Sequence, residues 1–316
     1  MLESYHYRGR PSLTPVAFQP GSPERRLSQA RTSHATTPST VDLLERARPA
    51  PLDLGAPPRG FASTPRVPQR VPNTCRATPP KGHLLIVGGN GTSPEMVREA
   101  LALAGGVRAR VVVLPQASEG SERGSDSVTM WRAGGATDVR NLDPLGEDAA
   151  EAIAHADIVW MSGGDQSRLM QALREARLVE PIRRRYREGA VIGGTSAGAA
   201  VMSGPMIAGR HEDSVGLNLW PVTIVDQHFS ERDRAQRLLE RIETRSGYLG
   251  VGIDEATAII LSGGVARVIG DGGVTILDGR AAQPRPTDPE GFTDVRLHRL
   301  RAGDSFRPPL CKTPSR

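Results

Sequence analysis

Cysteine is nearly absent from this chain. Two residues, Cys75 and Cys311, lie towards its two ends. Neither position suits a buried nucleophile or a core disulfide, so thiol chemistry and a disulfide-stapled secreted scaffold are set aside. No apolar run reaches the length needed to span a membrane. The opening "MLESYHYRGRPSLTPVAFQP" lacks the hydrophobic core of a secretory signal. Its Arg- and Ser-rich character imitates a transit peptide, but Glu3, Glu24 and Asp42 weigh against one, and a start codon placed too far upstream is a duller alternative. These absences lead us to expect a cytoplasmic protein that does not engage the membrane.

The body of the chain also lacks a charge excess. Net charge is +5 over 316 residues, but residues 1–80 hold 11 Arg against 5 Asp and Glu, a surplus of +6, which leaves the remainder at −1. A basic chain would suggest nucleic acid; an excess confined to one end does not, and no nucleic-acid partner is expected. Proline is scarce in the middle: 14 of 26 fall in residues 1–80, 6 in 281–316 and only 6 in 81–280. Residues 1–80 therefore read as a disordered or loosely packed extension, with "VDLLERAR" (41–48) as a possible short helix. Residues 81–280 read as the folded domain, and 281–316 as an irregular Pro-rich tail. No internal repeat is visible.

Within 81–280, short apolar runs alternate with amphipathic stretches. "HLLIVGG", "ARVVVLP", "TDVRNL", "DIVWM" and "AVIGG" read as strands. Between them, "SPEMVREALALAGG", "DSVTMWRAGG", "EDAAEAIAHA" and "SRLMQALREA" followed by "PIRRRYREG" read as helices. Ser93 caps the first of these and Pro94 suits its first turn. Strands alternating with helices imply right-handed βαβ units: an α/β fold of three αβα layers around a largely parallel sheet. Such sheets bind ligands beyond the C-terminal strand ends. The turns "GGNGTS", "SGGDQS" and "GGTSAG" all follow strands, so they should gather on one edge. The later runs "VTIVDQHF", "LGVGID", "TAIILSG", "ARVIG" and "GVTILDG" read as further strands, antiparallel in part.

"GTSAG" (194–198) fits G-x-S-x-G between a strand and an Ala-rich helix. A nucleophile on so sharp a corner needs small neighbours, both for the strained backbone and for the approach of a substrate. The Ala197 amide, at a helix start, would stabilise an oxyanion. Against this stands a Gly-rich phosphate cradle or a plain corner. A serine nucleophile needs a base. Of the histidines after Ser196, His298 falls in the tail, His211 in a polar turn, and His228 at the mouth of a strand beside Asp226 and Gln227. His228 is the best candidate. For the carboxylate that orients the base, "GVGIDEATAI" offers Asp254 or Glu255, with Asp213 and Asp226 as alternatives. After His228, Arg232, Arg234 and Arg237 crowd a helix start, where cations oppose the macrodipole. A solvated helical face is the bland reading; a grip on a substrate carboxylate is the sharper one.

In this order, "IVGGN", "GGDQ", "GGTSAGA", "DQHFSERDRAQRL" and "GIDEATA" resemble the cyanophycinases, serine peptidases related to aspartyl dipeptidase (peptidase E). The resemblance covers about residues 81–280. It implies a class I glutamine amidotransferase-like (flavodoxin-like) fold, usually dimeric, that needs no metal or cofactor. It implies Ser196 as nucleophile, His228 as base and then acid, and Glu255 as the residue orienting His228. Ala197 and the Gly164–Asp165 turn would hold the oxyanion. Gln166, Asp226, Gln227, Arg232, Arg234 and Arg237 would bind substrate. That substrate is cyanophycin, a poly-aspartate backbone with arginine on its β-carboxyls, released as β-Asp-Arg dipeptides. Arginines would then meet its carboxylates and Asp226 its guanidinium groups.

Rival readings remain. An aspartyl dipeptidase-like enzyme acting on another Asp-containing peptide keeps the same three residues. An α/β-hydrolase esterase orders its triad serine, acid, histidine, which here leaves only His298. A glutamine amidotransferase needs cysteine at position 196. A non-enzymatic binder of Asp-rich peptides has no sequence feature in its favour while Ser196, His228 and Glu255 are all present.

Overall fold

The computed structural model describes residues 80–208, 213–245, 247–280, 283–285, 288–293 and 295–309. The expected extension over residues 1–80, with its possible helix at 41–48, and both cysteines lie outside the described residues, except for Pro80.

Strand β1 (His83–Val87) sends Leu84 and Ile86 into one hydrophobic cluster and Leu85 and Val87 into another. Both faces are therefore covered, and the strand reads as an unbroken apolar run. The same holds for β2 (Arg110–Leu114), β4 (Ile158–Met161) and β5 (Val191–Thr195). The edge strand β3 (Asp138–Asn141) has only half its residues even partly buried. These five strands are parallel.

Helices fill the connections. In α1 (Pro94–Leu103) the Ser93 hydroxyl accepts the Met96 N–H, as the sequence suggested. Helix α2 (Ser125–Ala133) packs Trp131 edge-on against Trp160 of β4, with ring centroids 5.5 Å apart. α3 (Ala149–His155), α4 (Gln166–Glu175) and α5 (Val179–Glu188) contribute Ile153, Leu169, Leu173 and Ile182 to the cluster on the opposite face. The break expected between the last two helices falls at residues 176–178.

Beyond β5 comes the short helix α6 (Ala197–Ala200), then the hairpin β6 (Pro205–Ile207) and β7 (Asp213–Val215). β8 (Thr223–Gln227) leads into α7 (Ala235–Glu243) and the parallel partner β9 (Leu249–Ile253). β10 (Thr257–Ser262) adds to β1 antiparallel, and β11 (Val265–Gly270) adds antiparallel to β10. β12 (Gly273–Asp278), the hairpin β13 (Gln283–Arg285) and β14 (Asp288–Thr293), β15 (Arg296–Arg301) and β16 (Ser305–Phe306) follow. The main sheet runs β16-β11-β10-β1-β5-β4-β2-β3, and a second sheet runs β15-β12-β9-β8.

This is the expected α/β arrangement, with one refinement. Val225, Val251, Ile253, Val274 and Ile276 of the second sheet share a hydrophobic cluster with α3–α5, so part of one covering layer is β rather than α. α7 closes the far face of that sheet through Leu238 and Ile242 against Ile224 and Leu277. The tail expected to be irregular from residue 281 contains paired strands, two of which belong to the two sheets.

Candidate active site

The Gly-rich turns do gather at one edge, and backbone bonds tie the one after β1 to those after β5, β8 and β9. The N–H groups of Ser196, His228 and Ala256 donate to the carbonyls of Val87, Gly88 and Gly89, at 3.0, 2.9 and 3.0 Å. The end of β1 is thus a common support for the turns after β5, β8 and β9.

Ser196 stands between β5 and α6 with φ 53° and ψ −108°, a conformation a non-glycine residue holds only under constraint. The corner closes because Gly194 and Gly198 nearly touch: a Cβ on Gly194 would lie 2.7 Å from the Gly198 backbone, and one on Gly198 2.2 Å from the Met161 carbonyl. The small residues of "GTSAG" are therefore a steric requirement. His228 also has positive φ, 49°. Such strain costs about 1–3 kcal/mol. Its neighbour Phe229 is fully buried against Gly252. That burial contributes about 1.5–3 kcal/mol, enough to offset the strain.

The imidazole of His228 bridges two side chains. Its Nε2 lies 2.9 Å from Ser196 Oγ and its Nδ1 2.6 Å from Glu255 Oε1. With Nδ1–H donated to the carboxylate, Nε2 is left to accept the serine proton. The imidazole is nearly covered, while Ser196 stays partly open. A Cβ on Gly89 would sit 2.2 Å from the His228 ring, so glycine there gives the imidazole its space. Of the two carboxylates left open by spacing, Glu255 meets the histidine. Asp254 turns into the protein and accepts from Ser230, Gly273 and Arg299. His298 stands on β15 opposite Ile276. His211 lies outside the described residues, and Asp213 belongs to β7.

The amide of Ala197 opens α6 and has no acceptor among the described residues. The two amides of the Gly164–Asp165 turn differ. The Asp165 N–H donates to the Ala117 carbonyl at 2.9 Å, and its side chain caps α4 by accepting the Arg168 N–H at 2.8 Å. Asp165 is therefore engaged structurally, and Gly164 is the amide left in that turn. The Gly163–Gly164 peptide is oriented by Ser118, whose hydroxyl donates to the Gly163 carbonyl at 2.8 Å. In a trans peptide this turns the Gly164 N–H to the opposite edge. Gly163 itself faces Ser196: a Cβ there would lie 3.5 Å from Ser196 Cβ. Ser118 did not stand out in the sequence, and Gly163 did so only as part of the turn "SGGDQS".

The arginine cluster is anchored within the chain. Asp226 is 1% exposed and pairs within the chain, accepting from Arg234 Nη1 at 3.1 Å and Arg237 Nε at 3.0 Å, with a further bond from Arg237 Nη2. Arg234 also donates to the Gln227 carbonyl at 2.6 Å and to the Gln227 side chain. Asp226 is thus not a free carboxylate for a substrate guanidinium; it and Gln227 fix the arginines. Burial lowers the Arg234 pKa below its ordinary value; Asp226 opposes this, and Arg237 and Arg232 reinforce it. Arg232 is exposed and its guanidinium has no partner among the described residues. Three cations thus surround one buried carboxylate, with Glu231 and Asp233 interleaved among them in the same segment. Gln166 donates to the Ile207 carbonyl at 2.9 Å, joining α4 to β6. Among the described residues, no three His, Cys, Asp or Glu side chains cluster to hold a metal, and no helix is long and apolar enough to cross a membrane.

Known proteins are similar to this chain in sequence and in fold. The profile of peptidase family S51 matches residues 84–269. A cyanophycinase from Geminocystis herdmanii is 36% identical over 254 residues, covering 72% of this chain and 93% of that relative. One from Synechococcus elongatus is 36% identical over 257 residues, covering 72% of this chain and 79% of its own. A crystal structure of a peptidase from an acI-B1 actinobacterium superimposes with a TM-score of 0.54 at 23% identity, over 72% of this chain and 96% of that one, a likeness in fold. The family profile spans more than half of the sequence, and the chain belongs to peptidase family S51, a family of serine-type peptidases.

Proposed function

We propose that this protein is a cyanophycinase, an exopeptidase that hydrolyses cyanophycin to β-Asp-Arg dipeptides through an acyl-enzyme on Ser196. The observation that carries the catalytic assignment is the Oγ–Nε2–Nδ1–Oε1 hydrogen-bonded chain through Ser196, His228 and Glu255, mounted on a strained corner. His228 Nε2 takes the Ser196 proton as Oγ attacks the main-chain carbonyl of an aspartyl residue. The N–H groups of Ala197 and Gly164 hold the resulting oxyanion. Collapse breaks the C–N bond, and the proton on His228 passes to the departing amine. Water, deprotonated by the same imidazole, then hydrolyses the ester and frees Ser196. Glu255 keeps the imidazole in the productive tautomer throughout.

Arg232, Arg234 and Arg237 supply cations for a carboxylate-rich polymer, with Gln166 and Gln227 alongside. Asp226 sets the arginines rather than touching substrate. The homodimer expected from the resemblance and the cytoplasmic location expected from the sequence belong to the same proposal. The test is incubation of purified protein with insoluble cyanophycin, followed by mass spectrometry of the soluble fraction, with Ser196→Ala alongside. Release of Asp-Arg dipeptide by the wild type only is expected, the variant losing roughly three or more orders of magnitude. Cleavage of an α-linked aspartyl dipeptide without release from cyanophycin would move the protein to the aspartyl dipeptidase side of the family.

A further inference from the structure

We infer that Arg299, on the strand β15 beyond the part of the chain that matches the family profile, is a positioning residue for the catalytic triad, acting through Asp254. The inference rests on the assignment of Ser196, His228 and Glu255 as that triad. Asp254 is 3% exposed and directly precedes Glu255. Its Oδ1 accepts the Ser230 N–H at 3.2 Å and the Ser230 hydroxyl at 2.7 Å. Its Oδ2 accepts the Gly273 N–H at 2.9 Å. Ser230 lies two residues past His228. One buried carboxylate therefore joins the turn carrying the base to the turn carrying the acid.

A carboxylate so covered needs a cation, and Arg299 supplies it. Its Nη2 pairs with Asp254 Oδ2, and its Nη1 donates to Thr275 Oγ1 at 2.7 Å, with longer contacts of 3.4 Å to Asp254 Oδ1 and Ser230 Oγ. The guanidinium lies across Gly273, where a Cβ would come within 2.7 Å of Arg299 Nε. Thr275 is the partner of Arg299 in the β12–β15 register, so the strand pairing itself sets where the guanidinium sits. Without that cation the Asp254 carboxylate is buried and uncompensated. It then swings towards solvent, which releases Ser230 and loosens the spacing between His228 and Glu255. The effect falls on the reaction of Ser196 and not on the arginines that hold the substrate.

The test uses the full chain and two readouts: the rate at which a fluorophosphonate probe labels Ser196, which needs the His228 base but no polymer recognition, and kcat and KM on soluble cyanophycin. Arg299→Gln is expected to slow labelling and kcat by about 10- to 100-fold with KM changed by less than about threefold. Arg299→Lys, which keeps the cation but not the fork, is expected to recover part of both rates. Circular dichroism at the assay temperature selects variants that are folded, and Asp254→Asn gives a second route should Arg299→Gln not fold. A folded Arg299→Gln that labels at the wild-type rate, or whose loss is confined to KM, overturns the inference while leaving the triad intact. Labelling of Ser196→Ala at the wild-type rate would instead remove the triad assignment beneath it.

Discussion

Replacing Asp226 separates two roles that the sequence could not tell apart. In the structure this carboxylate is 1% exposed, and the side chains of its partners Arg234 and Arg237 are 14% and 23% exposed. Removing one member of a buried ion pair costs about 3–5 kcal/mol, because the remaining charge is left uncompensated. Water reaches both guanidinium groups in part, so the lower end applies, about 3 kcal/mol. For a folded body of this size each kcal/mol lowers the melting temperature by about 2–4 °C. Asp226→Ala should therefore melt about 6–12 °C below wild type. Arg234→Ala should cost less in the Asp226→Ala background than alone, since the two share one interaction. The assay is thermal unfolding by circular dichroism, with kcat and KM on cyanophycin measured well below the transition. A direct contact between Asp226 and substrate predicts the reverse: unchanged melting and a raised KM. A variant that melts within about 1 °C of wild type would refute the reasoning, because no buried charge would then have been left unpaired.

Three further outcomes follow from the same geometry. Gly89→Ala drives a methyl group into the His228 ring at a residue with φ 124°, so turnover should fall by about a hundredfold or more, read as kcat; an unaltered kcat would show that the ring has room to move. Arg232→Ala should raise KM for cyanophycin while changing stability by no more than about 0.5 kcal/mol, since the side chain is exposed and unpartnered among the described residues; a fall in melting temperature without a change in KM would contradict it. His83 sits 2.8 Å from the Ser262 hydroxyl, and burial lowers its pKa below the ordinary 6.5. A depressed folded-state pKa means stability that is present above about pH 6.5 and lost as pH falls through the folded value. His83→Asn should flatten the decline in urea-unfolding free energy below about pH 6.5, and an unchanged slope would exclude His83 as its source.

The elements were legible where physics leaves a strong periodic signal. β1, β2, β4 and β5 are covered on both faces, so their apolar runs are continuous, and the cap at Ser93 is a local device. The corner at Ser196 was legible because steric crowding leaves no choice but small residues. β15 was not: it is the edge of its sheet, and its sequence "RLHRLR" shows mostly exposed residues, so too little apolar content remained to mark a strand. The pairing of Asp226 with Arg234 and Arg237 was also hidden, because spacing alone does not say whether an arginine meets a carboxylate of its own chain or of a ligand. Which amide of the Gly164–Asp165 turn is free was hidden for a similar reason: family likeness offered the turn as a whole, and the carbonyl that engages Asp165 comes from Ala117, far away in sequence. Glu255 over Asp254 was settled by family likeness and not by spacing; the two differ in which way the turn after β9 points them.

The shared support at the end of β1 carries a lesson for transplantation. Three turns, separated by long stretches of chain, each hang by one amide from consecutive carbonyls of Val87, Gly88 and Gly89. Their mutual spacing is therefore set by one short piece of backbone, the end of β1 and its bend at Gly89 (φ 124°), rather than negotiated loop by loop. An engineer moving this chemistry to another parallel-sheet scaffold would begin by copying that tripeptide and its three outgoing bonds. Loop lengths elsewhere become free variables, whereas a single-residue insertion at that strand end would throw serine, histidine and glutamate out of register together.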